Sequence, residues 1–339
     1  MKAVAVVEKG KVEVVDIPMP RPKEYECLVK VKASGLCNST DLKIIQDEIS
    51  TMKVPFPVIL GHEGVGEVVE VGSKVKNIKV GDRFLNPSGR LEPETPFERM
   101  WGSMKEYSIV QDTAVMDEMG LDPKLKSGPA TRQIPREISA EDGGVILCLK
   151  ENYSAIPNFG FHQGMDVLIF GDGPVGLGLT KFLKMRGAGW VGCVGHHADR
   201  LEIIKQKGPA DMVINSHETD VADAVGDRQF DLVIDAVGLT SIILQGSKML
   251  KPGGKVGVYG VLKQKDSQIS LLDLKNHTSV HILNFPYREH DYHDEIVQLI
   301  LDGKVDPKDF YSHVMPADDA AKAVDMIGKR EAWKIIFTF

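Results

Sequence analysis

Two short stretches of the sequence carry side chains of types that can bind metal ions. The stretch "GHEGVGEVVEVG" places His62 and Glu63 side by side on a glycine-rich turn, ahead of a Val/Glu alternation typical of a half-buried strand. The stretch "KASGLCNSTDLKI" places Cys37 on a turn after another strand pattern. A thiolate and an imidazole are a common pair of zinc ligands, and a third protein ligand would leave one position open for water or substrate. These stretches predict a zinc site with an open position.

A glycine-rich turn predicts a nucleotide site. In "DVLIFGDGPVGLGLTKFLKMRG", Gly171, Gly173 and Gly176 have G-x-G-x-x-G spacing, with an apolar strand before them and an amphipathic helix after them. The first glycine would permit the tight turn, the second the approach of a pyrophosphate, and the third close helix–strand packing. The phosphates would meet the free N–H groups at the N-terminus of the helix.

The end of the next strand indicates which dinucleotide binds. In "WVGCVGHHADRLEIIKQKG", Gly195 stands where an Asp or Glu would bind the ribose hydroxyls of NAD. A carboxylate would repel a 2′-phosphate, so its absence favours NADP over NAD, with His197 and Arg200 nearby as donors. The alternative is that the two histidines merely cap a surface loop. The candidate cofactor-binding residues are Gly171, Gly173, Pro174, Val175, Gly176, Gly195, His196, His197, Arg200 and Val237.

Length and composition predict a cytoplasmic protein of two domains. The chain has 339 residues, is 42% hydrophobic and 26% charged, and carries a net charge of -7 without a basic stripe, which argues against nucleic acid as a partner. No apolar run approaches the roughly 20 residues that span a bilayer. Four irregularly spaced cysteines form no disulfide framework and indicate a reducing compartment.

Hydrophobic periodicity divides the chain into a β-rich part and an α/β part. Residues 1 to about 110 read as short strands separated by Gly, Pro and Asp. After Ile138, strands alternate with amphipathic helices, which predicts a parallel sheet with right-handed crossovers. The polar excursion Gly120–Ser139 fits neither part, and it is either an ordered segment or a mobile loop.

Taken together, the sequence resembles the zinc-dependent medium-chain alcohol and polyol dehydrogenases, nearly from end to end. Its motifs follow the family's order: "GLCNSTD" (35–41), "GHEGVGEVVEVG" (61–72), "VGDRF" (80–84), "GDGPVGLG" (171–178), and "FDLVIDAVG" followed by "LKPGGKVGVYG" (230–260).

The resemblance implies the domain organisation and the assembly. It implies a β-rich GroES-like catalytic domain at 1–153 and a Rossmann domain, with a doubly wound parallel sheet, at 154–287. The C-terminal segment 288–339 would return to the catalytic domain. The family also implies a homodimer or homotetramer that acts on a small alcohol or carbonyl compound, away from membranes and nucleic acid.

The resemblance assigns roles to the metal-binding residues. It implies that Cys37 and His62 ligate a catalytic zinc, and that Glu63 is either a ligand or a nearby carboxylate that exchanges with water. The third protein ligand is expected in "GGVILCLKENYSAI", where Cys148 is favoured and Glu151, one helical turn further on, is the alternative.

Two departures from the family pattern bear on the metal. An Asp usually follows the zinc-binding Cys by three positions and orients the zinc-bound His. Here Thr40 holds that place and Asp41 comes one later, so either residue could hold the imidazole. Many relatives also bind a structural zinc through four cysteines, and the corresponding segment 86–107 contains none. We therefore expect one catalytic zinc per chain and no structural zinc.

The implied function is a zinc-dependent oxidoreductase. It would transfer hydride between a secondary alcohol of a polyol, cyclitol or sugar and NAD(P), with zinc as the Lewis acid on the alcohol oxygen. Ser39 matches the hydroxyl that relays the substrate proton in this family. Two alternatives remain open: a zinc-independent quinone or enoyl reductase of the same fold, and a non-enzymatic NADPH-binding protein.

Overall fold

The structure is a computed structural model that describes residues 1–49, 53–263, 265–275, 277–283 and 287–339. The strands, in chain order, are β1 (Lys2–Glu8), β2 (Lys11–Asp16), β3 (Glu26–Leu36), β4 (Val58–Ile59), β5 (Glu63–Val71), β6 (Arg83–Leu85), β7 (Glu98–Arg99), β8 (Tyr107–Gln111), β9 (Arg132–Ile134), β10 (Asp166–Phe170), β11 (Trp190–Gly195), β12 (Met212–Asn215), β13 (Phe230–Asp235), β14 (Leu250–Val258), β15 (Ser279–Ile282), β16 (His313–Pro316) and β17 (Ile335–Thr338).

The helices confirm the predicted change of character along the chain. The α-helices are α1 (Thr40–Ile45), α2 (Thr113–Glu118), α3 (Ala140–Gly143), α4 (Ile146–Asn158), α5 (Pro174–Met185), α6 (Ala198–Lys207), α7 (Val221–Val225), α8 (Thr240–Lys248), α9 (His293–Leu301) and α10 (Ala320–Gly328). Short 3₁₀ helices lie at Pro123–Leu125, Leu271–Asp273, Glu289–Tyr292, Pro307–Phe310 and Ala317–Asp319. Within the described ranges, no helix combines the length and the apolar character needed to cross a membrane.

The described residues form two compact units. The first contains Met1–Glu48, residues 53–147 and His293–Phe339, so the C-terminal part of the chain rejoins the β-rich part. The second contains Cys148–Tyr292 together with Ile49.

The first unit is built on two sheets. One has the strand order β2-β1-β4-β7, and the other has the order β16-β17-β3-β5-β6-β9, with β8 also paired to β3. The core of the larger sheet includes Val29, Val68, Phe84 and Val110, all buried. Part of the polar excursion is ordered within this sheet, because β9 pairs antiparallel with β6.

The second unit is a six-stranded sheet in the order β12-β11-β10-β13-β14-β15, counted over the described residues. Every pairing in it is parallel. When these six strands are numbered by their position along the chain, their order across the sheet is 3-2-1-4-5-6, which is the Rossmann arrangement. The central strands β10, β11 and β13 are buried along nearly their whole length, as parallel strands covered by helices must be, and this confirms the α/β prediction.

Charged groups hold the segment 86–107, which contains no cysteine. Arg90 donates to both carboxylate oxygens of Glu26, at 2.8 and 2.9 Å. Lys105 is fully buried, and its Nζ donates to the backbone oxygens of Arg90 at 2.8 Å and Ser88 at 3.4 Å. Burial, together with the positive charges of Arg99 and Arg90, lowers the pKa of Lys105 to about 7.

The low pKa of Lys105 predicts a rise in stability above neutral pH. Between pH 7 and 10.5 the unfolded chain binds this proton and the folded chain does not, so the free energy of unfolding should increase with pH. Below pH 7 both states are protonated, and the cost of the buried charge is fully present. The slope due to this group is at most about 1.4 kcal/mol per pH unit.

Replacing Lys105→Met should remove that part of the pH dependence. Urea unfolding between about pH 7 and pH 9 measures the slope. The exposed Lys74→Met is the control and should retain the wild-type slope. Equal slopes for Lys105→Met and the wild type would contradict the assignment.

Candidate zinc and nucleotide sites

The turn before β5 takes a conformation that favours glycine. Gly61 has φ +91°, and a Cβ atom there would lie 2.4 Å from Cγ of Met104. The turn places His62 directly before β5, and Glu63 is the first residue of that strand. Gly61 therefore allows the turn that positions the side chains of His62 and Glu63.

Three of the predicted metal-binding side chains lie together in the first unit. The ligand atoms of Cys37, His62 and Glu63 are all within 4.8 Å of one another. Glu63 is buried, and the other two are half-buried. A thiolate, an imidazole and a carboxylate form a donor set that fits zinc. Gly35 makes room for this set, because a Cβ on it would lie 2.1 Å from Oε2 of Glu63.

Asp41, rather than Thr40, contacts the imidazole. Oδ1 of the fully buried Asp41 lies 3.3 Å from Nδ1 of His62, and its Oδ2 accepts from the backbone N–H of Cys37 at 2.9 Å. Burial alone would lower the pKa of His62, but Asp41 and Cys37 together raise it well above its ordinary value. With Nδ1 facing Asp41, Nε2 is the nitrogen that can bind a metal. The backbone N–H of Thr40 instead donates to Sγ of Cys37 at 3.4 Å.

Ser39 lies at the start of α1 and has a cationic neighbour one turn along the helix. Nζ of Lys43 donates to Oγ of Ser39 at 3.1 Å, and Lys43 is itself buried. An ammonium group can only donate, so the serine oxygen accepts in this contact. The single hydroxyl proton of Ser39 is thereby left to donate in another direction.

Glu63 forms a buried ion pair that sequence reasoning missed. Its Oε2 lies 2.5 Å from Nζ of Lys334, and the side chains are 3% and 4% exposed. Lys334 directly precedes β17, which pairs antiparallel with β3 through Ile335 and Leu36. Because Gly35 of β3 pairs with Glu63, both partners are carried by strands that flank β3. The sequence feature that could have indicated this ion pair is the lysine in the largely apolar stretch "AWKIIFTF".

The candidates for the third zinc ligand belong to the second unit. Cys148 and Glu151 lie on α4, one turn apart. Sγ of Cys148 accepts from Nδ2 of Asn152 at 3.6 Å, and Oε2 of Glu151 accepts from the hydroxyl of Tyr259 at 3.4 Å. The choice between the two stays a prediction.

The glycine turn after β10 has the geometry expected of a phosphate-binding turn. Gly171 has φ +131°, and a Cβ on Gly176 would lie 1.9 Å from the carbonyl oxygen of Gly171. Gly173 is the N-cap of α5, with open space where its Cβ would be, and Pro174 is the first helical residue, followed by Val175. This cradle fits a pyrophosphate at the helix N-terminus.

The loop after β13 lies at the same edge of the parallel sheet and carries Val237. The buried Asp235 accepts from the backbone N–H groups of Val237, Gly238 and Leu239 at 2.9, 2.8 and 3.0 Å. These bonds fix the loop, while Val237 itself is exposed.

A carboxylate from another part of the chain lies beside the glycine that ends β11. β11 ends at Gly195, as predicted, but Asp172 from the glycine turn reaches this place. Its Oδ2 accepts from the backbone N–H groups of His196 and His197 at 2.8 and 2.9 Å, and lies 2.9 Å from Nδ1 of His197. Sequence reasoning missed this contact, although an acid inside a glycine motif was a visible signal.

His196, which follows β11, stacks on His217 and contacts His197 in a tilted arrangement. The ring of His196 lies 4.8 Å from that of His217 and 4.3 Å from that of His197, measured between centroids. Arg200 follows within α6. Asp172, His196 and His197 are of types that bind metals, yet Oδ2 of the acid already accepts backbone N–H groups. We therefore interpret the cluster as part of the nucleotide turn.

The Glu63–Lys334 pair makes a direct prediction about stability. Lys334→Met would leave the carboxylate of Glu63 buried without its partner and should lower the free energy of unfolding by about 3–5 kcal/mol. The double variant Lys334→Met/Glu63→Gln removes both charges and should recover most of that loss. Urea unfolding measures each value.

An exposed lysine serves as the control for this pair. Lys329→Met removes the surface pair with Asp325 and should leave stability unchanged. A Lys334→Met protein as stable as the wild type, or a double variant no better than the single one, would contradict the buried pair.

Two family models match the chain. "Alcohol dehydrogenase GroES-like domain" matches residues 23–118, and "Zinc-binding dehydrogenase" matches residues 174–302. They correspond to the β-rich unit and the parallel-sheet unit, which confirms the predicted combination of a GroES-like and a Rossmann fold.

Named relatives cover nearly the whole chain. The D-xylulose reductase of Saccharomyces cerevisiae is 28% identical, over 96% of this chain and 93% of its own. The sorbitol dehydrogenase of Bacillus subtilis is 26% identical, over 99% and 96%. Among solved structures, a putative zinc-binding dehydrogenase from Sinorhizobium meliloti 1021 bound to NADP superposes with a TM-score of 0.78 at 23% identity, over 100% and 99%.

The description of the second family model, a zinc-binding dehydrogenase, agrees with the predicted use of zinc. Together, the two family models and the end-to-end relatives agree with the motifs and the fold. The chain therefore belongs to the zinc-type medium-chain alcohol and polyol dehydrogenase family.

Proposed function

We propose that this protein oxidises a secondary alcohol of a polyol, cyclitol or sugar to the ketone, and catalyses the reverse reduction, with zinc and NADP. The observation that carries the proposal is the group of Cys37, His62 and Glu63 within 4.8 Å of one another, close in sequence to the hydroxyl of Ser39. The sorbitol and xylulose relatives support a polyol or sugar substrate over a simple alcohol.

In this proposal each residue of the zinc site has a distinct task. Cys37 and His62 hold the metal, and Asp41 orients the imidazole through Nδ1. Lys334 restrains Glu63, which makes it a carboxylate beside the metal rather than a fixed ligand. When bound, zinc supplies Lewis-acid polarisation of the substrate oxygen, and the nicotinamide accepts the hydride.

Ser39 moves the substrate proton in this scheme. The ammonium of Lys43 donates to the serine oxygen, so the hydroxyl proton is directed away from the lysine. Ser39 can then donate to, or receive a proton from, the substrate oxygen.

For the cofactor we propose NADP rather than NAD. The support is that β11 ends at Gly195, so no side chain there can accept from both ribose hydroxyls. His196, His197 and Arg200 follow as donors for a 2′-phosphate. The rings of the two histidines contact each other in a tilted arrangement, with 4.3 Å between their centroids at the end of the strand.

We further propose a cytoplasmic homo-oligomer. The four cysteines are free, in keeping with a reducing compartment. Among the described residues β15 lies at the edge of its sheet and exposes Val280 and Ile282, which are 36% and 51% accessible, and an edge strand with exposed apolar side chains favours pairing with another chain.

Zinc content tests the metal site and selects its third ligand. Purified protein should hold about one zinc per chain, and Cys37→Ala should lose it, because a thiolate is a principal ligand. Of Cys148→Ala and Glu151→Ala, only the variant that removes the third ligand should lose zinc; Cys148 is favoured.

Cys27→Ala is the matched control, because Cys27 is buried within β3 and should not affect zinc content. A folded protein that takes up no zinc on reconstitution would overturn the metal site. It would favour the reductase or nucleotide-binding alternatives.

Ser39 tests the reaction itself. With zinc-loaded protein, polyols and NADP, NADPH should form, and Ser39→Ala should lower kcat by about 10²–10⁴-fold, the usual contribution of a positioned proton-transfer group. Zinc content of this variant should be unchanged. Ser39→Thr retains a hydroxyl and should retain part of the rate. If no alcohol is turned over while NADPH binds, the non-enzymatic alternative is favoured instead.

A further inference from the structure

Asp172 and any side chain at position 195 would compete for the same space. A Cβ atom on Gly195 would lie 2.4 Å from both Cβ and Oδ2 of Asp172, and 2.6 Å from its Cγ. Carbon atoms that are not bonded to each other normally stay about 3.5–4.0 Å apart. Gly195 does not have a positive φ, so its backbone conformation suits any residue. Glycine is required here by the volume of Asp172.

The backbone around Gly195 is held on both sides and cannot easily move to relieve a clash. Its carbonyl oxygen accepts from the backbone N–H of Ser216 at 2.8 Å and from the hydroxyl of the same serine at 3.1 Å. The next two N–H groups, of His196 and His197, donate to Asp172. A shift that made room for a side chain would break these hydrogen bonds.

Asp172 does not itself replace the missing ribose-binding acid. Its side chain is 8% exposed, and its Oδ2 receives two backbone N–H groups and faces the ring of His197. Burial would raise the pKa of Asp172, but the N–H groups of His196 and His197 and the His197 ring lower it below its usual value. The carboxylate is therefore ionised, and its charge is directed at the backbone of this chain.

We propose that Asp172 determines the choice of dinucleotide. By occupying the space at the end of β11, it excludes a carboxylate at position 195 and so removes the group that would prefer NAD and repel the 2′-phosphate of NADP. The inference rests on the proposed function, because it concerns the nucleotide that this dehydrogenase uses. Conversion to NAD then requires two substitutions, because Gly195→Asp alone would place a second carboxylate against the first.

Direct binding of NADPH and NADH, followed by fluorescence without any alcohol, tests this proposal, with thermal unfolding as the second readout. Gly195→Asp alone should unfold at a lower temperature and bind both dinucleotides more weakly. Asp172→Gly/Gly195→Asp should unfold at a higher temperature than that single variant. Its ratio of dissociation constants should shift toward NADH by about tenfold or more, since the new acid can accept from the ribose hydroxyls.

Asp172→Asn/Gly195→Asp separates volume from charge, because asparagine fills the same space without the negative charge. It should resemble Gly195→Asp alone. If it instead recovers NADH binding as well as the glycine double variant does, repulsion rather than space is the cause, and the proposal is wrong. Tighter NADH binding by Gly195→Asp alone, at the wild-type unfolding temperature, would also overturn it.

A smaller pair of variants decides the question if an aspartate at position 195 prevents folding. Gly195→Ala adds only the Cβ atom and should lower the unfolding temperature, and Asp172→Gly/Gly195→Ala should recover part of the loss. A Gly195→Ala protein with the wild-type unfolding temperature would overturn the inference while leaving the dehydrogenase proposal intact. A wild-type protein that binds neither dinucleotide would overturn both.

Discussion

The antiparallel register of β3 with its two neighbours is the constraint on which the zinc site depends. β3 pairs Gly35 with Glu63 of β5, and Leu36 with Ile335 of β17. Cys37 follows directly at the end of the strand. A slip of one residue in either pairing would turn Glu63 or Lys334 to the other face of the sheet. The buried ion pair between them therefore forms because of this register. A change of register would separate the two buried charges and destabilise the fold.

The charges around this site are arranged to hold side chains before any metal binds. Asp41 and Glu63 are both buried, and each has a defined partner, in His62 and Lys334 respectively. A second buried lysine, Lys43, faces the hydroxyl of Ser39. Burying a charge is costly unless it is paired, so these pairs fix rotamers that an isolated carboxylate would not keep. A cation entering beside the thiolate of Cys37 would meet groups that are already oriented.

Local patterns predicted the parts of the fold and site that local physics determines. The glycine spacing around Gly171 and the period-two pattern after Glu63 gave the correct turn and strand, because conformation there is set by adjacent residues. Lys334 could not be assigned, since it meets Glu63 across 271 positions of sequence and only the sheet register brings them together. Asp172 was missed for a related reason. The residues of β11 alone predict no acid at the end of that strand, whereas the neighbouring turn places the Asp172 side chain there.

One use of carboxylates recurs at both sites. Asp41 accepts the N–H of Cys37, Asp172 accepts those of His196 and His197, and Asp235 accepts three in the loop after β13. Each of these acids is buried, and each orders a turn that also carries a proposed ligand-binding residue. An acid in a motif is therefore weak evidence for a ligand contact until its hydrogen bonds to the chain are known. At these turns the carboxylate is bonded to the backbone of its own chain, so the acid acts on binding by fixing the position of neighbouring residues.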